Sequence, residues 1–186
     1  PRIRYRQGDL VVKGPDRSLM IDTGMNRPEC LEAMQAALTE LTVDRTRLDI
    51  FATHLHSDHI GLVSWLKTSS SRAYLHPADQ AVILDPDHWA DMAASAGVHG
   101  FPDAEATLQR HPGKKYLFAG RPDFTPHREG DVLSVGRSAF RCVETPGHTA
   151  GHLCLYEPRT RLFFAGDHIL DSITPKFAYD TDQTVP

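Results

Sequence analysis

The chain of 186 residues is long enough for one domain with a substantial buried core. A composition of 40% hydrophobic and 24% charged residues is typical of an ordinary soluble globular protein. The net charge of -4 and the pI near 6.3 argue against nucleic acid or an anionic membrane surface as a partner, since either would favour a basic patch. The sequence also lacks the run of about 18 apolar residues that a membrane span requires.

The cysteines favour a reduced, cytoplasmic protein. Cys30, Cys142 and Cys154 are odd in number and widely spaced, and no CxxC pair occurs. No charged-then-apolar leader opens the chain, which favours the same compartment. The chain begins with Pro1 rather than Met, and we therefore expect its natural N-terminus to be missing.

The N-terminal half alternates predicted strands with predicted helices. Short apolar runs bounded by turn residues indicate strands at 10–12, 18–21, 48–53 and 73–75. Apolar side chains at helical spacing indicate a helix over 28–41, where Pro28 suits the first turn. A second helix is predicted at about 58–67, with Ser57 as a favoured N-cap. This alternation is typical of a layered α/β domain.

Residues 86–128 differ from the rest of the chain in composition, because Pro and Gly are frequent and strand patterns are few. Two short helices are predicted, at 86–96 and 102–110. The segment lies between two groups of candidate ligands, so it is a candidate lid or substrate wall. Its larger apolar side chains either line a pocket or form the segment's own small core: Trp89, Met92, Phe101, Tyr116 and Phe118.

Strands return after Asp131, at 132–135, 140–144, 152–156 and 162–165. Glu157-Pro158-Arg159-Thr160 predicts the turn of a hairpin between the last two. The tail, 179–186, is polar and is predicted to lack regular structure.

The segment His54-Leu55-His56-Ser57-Asp58-His59 carries three imidazoles and a carboxylate directly after a predicted strand. In an extended chain alternate side chains share a face, so His54, His56 and Asp58 point the same way. A helix that begins near Ser57 turns His59 toward the same volume. Imidazole and carboxylate suit Zn, Fe or Mn, and the segment therefore predicts a metal site.

Two more candidate ligands also follow predicted strands. His148 lies on a Pro-Gly turn, and Asp167 lies in Ala165-Gly166-Asp167-His168 after an apolar run. In layered α/β folds, ligands and catalytic residues collect beyond the carboxyl ends of strands. We therefore expect both side chains at the same edge as the histidine cluster.

These motifs occur in the order found in the metallo-β-lactamase superfamily, which the sequence resembles from Asp22-Thr23-Gly24 to Asp167. The resemblance implies an αββα sandwich with two metal ions at one edge. We expect a single domain over residues 1–186, with a short helical insertion at about 86–128. The local sequences around His148 and Asp167 look more like the glyoxalase II and thioesterase-like branch than like true β-lactamases.

The resemblance also implies a ligand set. His54, His56 and His148 would hold the first metal, and Asp58, His59 and Asp167 the second, with Asp167 bridging both. Two zinc ions are expected, with Fe or Mn as alternatives. Four neighbours would support the ligands without binding metal, and for the first two a plain strand-to-helix turn is an equal alternative: Asp22, Thr23, His152 and His168. The other histidines are expected at the surface or in the core: His76, His88, His99, His111 and His127.

The expected reaction is hydrolysis of a small-molecule thioester, ester or lactone. A carboxylate between two cations offsets their repulsion, and water held between the metals has its pKa lowered from about 15.7 toward about 7. The resulting hydroxide would attack the carbonyl carbon while Asp58 orients it and the metals polarise the carbonyl oxygen.

Two other reaction classes use similar scaffolds. The sequence also resembles persulfide dioxygenases, which use one iron held by two His and one Asp; His54, His148 and Asp167 could form that set. The additional presence of His56, Asp58 and His59 favours two metals and hydrolysis. A nuclease would be expected to carry a basic surface, which this sequence lacks.

One departure from the family concerns the end of the chain. The family usually supplies a last histidine to the second metal from beyond the bridging aspartate. No histidine follows His168 in this sequence. Either a C-terminal segment is missing or the second metal site is incomplete, and of the two we expect the missing segment.

Overall fold

The protein is described by a computed structural model over residues 3–6, 9–101 and 103–170. Within these residues, two β-sheets pack face to face and helices cover the other face of the larger sheet. The strands are β1 (Ile3–Arg6), β2 (Asp9–Val12), β3 (Ser18–Ile21), β4 (Leu48–Phe51), β5 (Ala73–Leu75), β6 (Thr125–Pro126), β7 (Val132–Val135), β8 (Ser138–Glu144), β9 (Leu153–Glu157) and β10 (Leu162–Phe164). The helices are α1 (Pro28–Glu40), α2 (Ser57–Ile60), α3 (Val63–Leu66), α4 (Pro77–Leu84), α5 (His88–Val98), α6 (Ala104–Gln109) and α7 (Pro112–Lys115).

The larger sheet has six strands in the order β1-β2-β3-β4-β5-β6. The first three strands pair antiparallel, whereas β3 to β6 pair parallel. Parallel strands need crossover connections, and the helices α1 and α4 lie in two of them. The carboxyl ends of β3 and β4 therefore lie at the same edge of the sheet.

The smaller sheet is antiparallel, in the order β10-β9-β8-β7. Because β8 and β10 both run antiparallel to β9, their carboxyl ends share one edge. On its outer face, one row across the four strands consists of partly or fully exposed side chains: Val132, Arg141, Tyr156 and Phe163. The neighbouring positions on β8, Phe140 and Cys142, are buried on the inner face.

The core has two parts. One lies between the larger sheet and its helices, where Met34 and Leu38 of α1 pack with Ile50 of β4. The other lies between the sheets, where Phe51 and Phe140 are fully buried. Burial of one such phenylalanine stabilises the fold by about 1.5–3 kcal/mol. The two sheets are thus held together mainly by apolar packing.

The structure confirms most of the predicted elements. Strands at 18–21, 73–75 and 132–135 have the predicted bounds, and the hairpin between β9 and β10 is present. The described residues contain one helical layer and both sheets of the predicted sandwich. Within those residues, no helix covers the outer face of the smaller sheet.

The predicted helix over 58–67 is wrong in two respects. Its N-cap is His56 rather than Ser57, and the helix divides into α2 and α3. The division follows from packing, because the Leu62 amide donates to Thr23 Oγ1 at 3.2 Å instead of continuing the helical ladder. A Cβ on Gly61 would lie 2.4 Å from the Asn26 amide nitrogen, so only glycine fits beneath that loop.

Four elements were not predicted: β1, α4, β6 and α7. In the insertion, α6 begins at Ala104, while residue 102, where its start was predicted, lies outside the described residues. The tail 179–186 also lies outside them. Phe118 packs against the core of the larger sheet, whereas Phe101 is exposed.

No helix in the described ranges has the length and apolar character needed to cross a membrane. The cytoplasmic location stays a prediction.

Candidate metal centre

The candidate ligands lie at the edge where both sheets end. His54, His56 and His59 follow β4, His148 lies in the loop after β8, and Asp167 follows β10. The Leu153 amide donates to the Thr53 carbonyl at 2.8 Å and thereby joins the two sheets at this edge. The topology therefore brings together side chains that are more than a hundred residues apart in the sequence.

Three imidazoles form the centre of the site. His56 Nδ1 lies 2.9 Å from His54 Nε2 and 2.9 Å from His148 Nε2. His54 is fully buried, and His148 is nearly so. Three ring nitrogens thus converge on one small volume, as the ligand atoms of a single metal ion do.

The surroundings favour neutral rings. Burial lowers the pKa of His54 well below its ordinary value, and the neighbouring imidazoles act in the same direction. Burial, followed by the neighbouring His148, lowers the pKa of His56 to about 4. Neutral imidazole is the form that binds metal, so both rings are in the ligating state near neutral pH.

Asp167 lies between two histidines. Its Oδ1 is 3.3 Å from His59 Nε2, and its Oδ2 is 3.3 Å from His148 Nε2. The hydrogen bond to His59 is the main reason why the pKa of Asp167 is lowered. The carboxylate therefore connects the three-histidine cluster with His59.

His59 and Asp167, with His54, form a second group whose ligand atoms lie within 4.8 Å of one another. Burial alone would lower the pKa of His59, but Asp22, Asp167 and Asp58 together raise it well above its ordinary value. A metal ion would have to displace the proton that these carboxylates retain on His59.

Asp58 lies beside this second group and is more accessible. Its side chain is 52% exposed, and its Oδ2 lies 3.6 Å from His59 Nε2. The structure thus brings five of the six predicted ligands into two converging groups, and it places Asp58 beside His59 at the solvent side.

Asp22 and Thr23 hold the histidine loop in place. Asp22 Oδ2 lies 2.9 Å from His59 Nδ1, and Asp22 Oδ1 accepts the Thr53 amide at 2.8 Å. Thr23 Oγ1 donates to the His59 carbonyl at 3.0 Å. A carboxylate on the outer nitrogen of a ligand histidine fixes the orientation of its ring.

The two remaining predicted supports differ from each other. The fully buried His152 accepts the Asp167 amide on Nε2 at 3.2 Å, and its Nδ1 lies 2.8 Å from Thr145 Oγ1. Burial lowers the pKa of His152 to about 4. His168 is exposed, and its ring centroid lies 6.2 Å from that of His152.

Sequence reasoning missed two residues at this site. Thr53 Oγ1 lies 3.1 Å from His54 Nδ1 and 3.3 Å from His59 Nδ1. Asp79, on the unpredicted helix α4, is fully buried and contacts both histidine-bearing loops. Pro77 at the first helical position was a usable signal for α4, but nothing local indicated that Asp79 is buried.

Of the other histidines, His76 is buried and caps α4. Its Nδ1 accepts the Ala78 amide, and its Nε2 lies 3.0 Å from Glu144 Oε1. His99 and His111 are exposed, as expected for surface residues, whereas His88 and His127 are partly buried.

The donor set fits metal ions. Imidazole nitrogens with a carboxylate suit zinc, iron or manganese, and the thiols of Cys142 and Cys154 are buried elsewhere, in or beside the smaller sheet. His54, His56 and His148 would hold one ion, and His59, Asp58 and Asp167 could hold a second.

Comparison with known proteins identifies the family of this chain. Residues 10–185 match the family model of the metallo-beta-lactamase superfamily. The chain is 29% identical to the acyl-coenzyme A thioesterase MBLAC2 of Gallus gallus, covering 87% of this chain and 57% of that protein. It is 31% identical to the hydroxyacylglutathione hydrolase of Fuscovulum blasticum, covering 82% of this chain and 47% of that protein. The chain thus spans about half the length of these relatives.

A solved structure of a metallo-beta-lactamase family protein from Thermus thermophilus has the same fold. The two superpose with a TM-score of 0.76 at 24% identity, covering 91% of this chain and 56% of that one. With residues 10–185 matched by the family model, this chain belongs to the metallo-beta-lactamase superfamily, and its relatives include proteins named MBLAC2 thioesterase and hydroxyacylglutathione hydrolase.

Proposed function

We propose that this protein hydrolyses thioesters with the help of two metal ions, zinc in the first instance. His54, His56 and His148 would hold one ion, and Asp58, His59 and Asp167 the other, with Asp167 shared. The ions would lower the pKa of bound water toward about 7 and polarise the carbonyl of the substrate.

The observation that carries this proposal is the position of Asp167. Its two oxygens face different histidines, each at 3.3 Å, and those histidines belong to different groups of candidate ligands. A carboxylate in that position can serve two cations at once. A site for one iron alone would not need both His56 and His59 in the cluster.

Asp58 supplies the proton chemistry. It is the most exposed of the six side chains, and its Oδ2 is 3.6 Å from His59 Nε2. An attacking water can donate its hydrogen bond to a carboxylate oxygen of Asp58 and leave its proton there. Asp22 contacts Nδ1 of the neighbouring His59 and so fixes the orientation of that ring.

Thioesters are favoured as substrates because two named relatives act on them. One is a thioesterase of acyl-coenzyme A, and the other hydrolyses hydroxyacylglutathione, which is also a thioester. Both substrates carry anionic groups away from the scissile bond.

The insertion offers cations for such groups. The carbonyl of Pro112 in α7 accepts from Ser57 Oγ at 3.4 Å, so α7 lies against the helix that carries Asp58. Lys114 Nζ is 5.8 Å from the Trp89 ring centroid, and Lys115 Nζ is 5.0 Å from that of Tyr116. Neither lysine forms an ion pair with an acidic side chain of the described residues. We propose that they bind the phosphates of a coenzyme A thioester.

The test combines metal content with a substrate panel. Protein loaded with Zn²⁺ or with Fe²⁺ is supplied in turn with an acyl-coenzyme A, an acylglutathione, a lactone, a phosphodiester and, as the substrate of the alternative reaction, glutathione persulfide. We expect the zinc-loaded protein to release free thiol from the thioesters. Oxygen consumption by the iron-loaded protein alone would contradict the proposal and favour a dioxygenase.

A further inference from the structure

Asp79 links two loops that are distant in sequence. Its Oδ2 accepts the Leu55 amide at 2.9 Å, between His54 and His56. The same oxygen accepts the Thr149 hydroxyl at 2.9 Å, and Oδ1 accepts the Gly151 amide at 2.7 Å. Two of these hydrogen bonds thus come from residues next to candidate ligands, Leu55 and Thr149, and the third comes from the residue before the supporting His152.

The fit around this carboxylate is close. A Cβ on Gly151 would lie 2.6 Å from Asp79 Oδ1 and 2.8 Å from His76 Nδ1, so a larger residue there would have to displace one of these side chains. Burial raises the pKa of Asp79, while its three donors oppose that shift by stabilising the charged form. Burying a carboxylate without partners costs free energy, and here that cost is offset because both oxygens of Asp79 accept hydrogen bonds.

The start of α4 also contacts the end of β8, just before the loop that carries His148. His76 precedes the helix and its Nε2 lies 3.0 Å from Glu144 Oε1, at the end of β8. The position of Asp79 is therefore fixed by the smaller sheet as well as by its own helix. Movement of either loop would break at least one of its hydrogen bonds.

We propose that Asp79 is a positioning residue, which sets the spacing between the loop of His54 and His56 and the loop of His148. The inference rests on the proposed metal site but not on the identity of the substrate. Without the carboxylate, the bond between the Leu153 amide and the Thr53 carbonyl still joins the two sheets, but the spacing of the two loops is less tightly set and the three ring nitrogens are held less well for one ion.

The test is a titration of the metal-free protein with Co²⁺, whose visible absorption reports its coordination. Asp79→Asn preserves the size of the side chain but replaces an acceptor oxygen with a donor amide that faces the Leu55 or the Gly151 N–H. We expect the Co²⁺ affinity to fall about 10- to 100-fold and the absorption spectrum to change. Thr149→Val removes one of the three bonds, and we expect a loss of roughly three- to tenfold.

Glu157→Gln is the matched control. Glu157 is also a buried carboxylate, and it accepts from the amide and the hydroxyl of Thr160 in the turn after β9. It lies at the other end of β9 from His152, so this variant should lose stability without losing Co²⁺ affinity. Thermal unfolding of the metal-free proteins measures how much stability the Asp79→Asn and Glu157→Gln substitutions each remove.

Two results would overturn the inference: unchanged Co²⁺ affinity and spectrum in Thr149→Val and in folded Asp79→Asn, or an equal loss in Glu157→Gln. If Asp79→Asn does not fold, Thr149→Val alone decides. Absence of thioester hydrolysis, with Co²⁺ binding still dependent on Asp79 and Thr149, would contradict the proposed substrate and leave this inference intact.

Discussion

The histidines of the central cluster use different ring nitrogens. His54 turns Nε2 inward and directs Nδ1 to Thr53 Oγ1, whereas His56 turns Nδ1 inward. His54 lies three residues after the end of β4, and His56 occupies the N-cap position of α2 without a capping hydrogen bond. Both rings lie at the site as predicted, but residues 53–56 form bends rather than the extended chain on which that prediction depended, and alternation could not indicate which nitrogen each ring would present.

His148→Ala should abolish metal binding at the three-histidine cluster together with turnover. The substitution removes one of three converging ring nitrogens. Loss of a supporting residue typically weakens metal binding about 10- to 100-fold, and loss of a direct ligand should exceed that range. Metal content after dialysis and thiol release from an acyl-coenzyme A measure the two effects.

His111→Ala is the control for this prediction. His111 is exposed in the insertion, and its Nδ1 accepts the Gly113 amide within the same turn. It should retain metal and activity near the parent level. Retained activity in His148→Ala would refute the role of that histidine.

The buried thiol of Cys142 should resist alkylation. Burial raises the pKa of Cys142 to about 12, so roughly one molecule in ten thousand carries the reactive thiolate near pH 8. Iodoacetamide at that pH should label the partly exposed Cys30 in the folded protein, and Cys142 only after unfolding. Mass spectrometry of the labelled peptides decides, and rapid labelling of Cys142 in the folded state would show that the smaller sheet opens readily.

At the scale of elements, helix α4 determines more of the site than its sequence suggests. Its partners lie in segments that precede it by about two dozen residues and follow it by about seventy. Sequence periodicity reports the face that a helix buries, but not a single carboxylate that enters the space between two loops. For the same reason the break between α2 and α3 was not predicted, since its cause is Thr23 in another segment.

The cations of α7 lead to a prediction on substrate affinity. Replacing both Lys114 and Lys115 with alanine should raise KM for an acyl-coenzyme A roughly tenfold, because each contact between a cation and a phosphate is exposed and worth about 1 kcal/mol or less. The kcat should stay near the parent value. Steady-state kinetics with the acyl-coenzyme A and with the corresponding acyl-pantetheine, which lacks the nucleotide, separates charge recognition from chemistry.

The control is Arg137→Ala, which removes an exposed cation from the turn between β7 and β8, at the end of β8 opposite His148. It should leave both KM values unchanged. An equal rise in KM for acyl-pantetheine in the lysine variant would show that α7 acts on packing rather than on phosphate.

At the scale of the whole molecule, the candidate ligands are divided between the sheets. His54, His56 and His59 come from the six-stranded sheet, and His148 and Asp167 come from the four-stranded sheet. The layered class of the fold could be predicted from the alternation of strands and helices. The pairing of strands across two sheets depends on non-local packing, and here the resemblance to a family supplied what periodicity could not.

Metal should therefore stabilise the folded protein. An ion that binds both sheets at about 100 times its Kd raises the free energy of unfolding by about 2.7 kcal/mol. Thermal unfolding with and without Zn²⁺ measures the effect, and a chelator should reverse it. The His148→Ala variant should show a much smaller rise, and equal unfolding temperatures for the parent with and without Zn²⁺ would contradict a site shared by the sheets.

The row across the outer face of the smaller sheet has a practical consequence. Val132 is 54% exposed and Phe163 is 41% exposed, and both point away from the core. Substitution at such positions usually changes stability by no more than about 0.5 kcal/mol. Threonine at both positions would remove apolar area from this face while keeping strand-forming residues beside the arginine and the tyrosine, at the cost of the ring contact between Phe163 and Tyr156. For the chain of 186 residues by itself, such a variant would be more soluble for crystallisation; in a longer form that carries the second helical layer of the predicted sandwich, the same row is the surface on which that layer would pack.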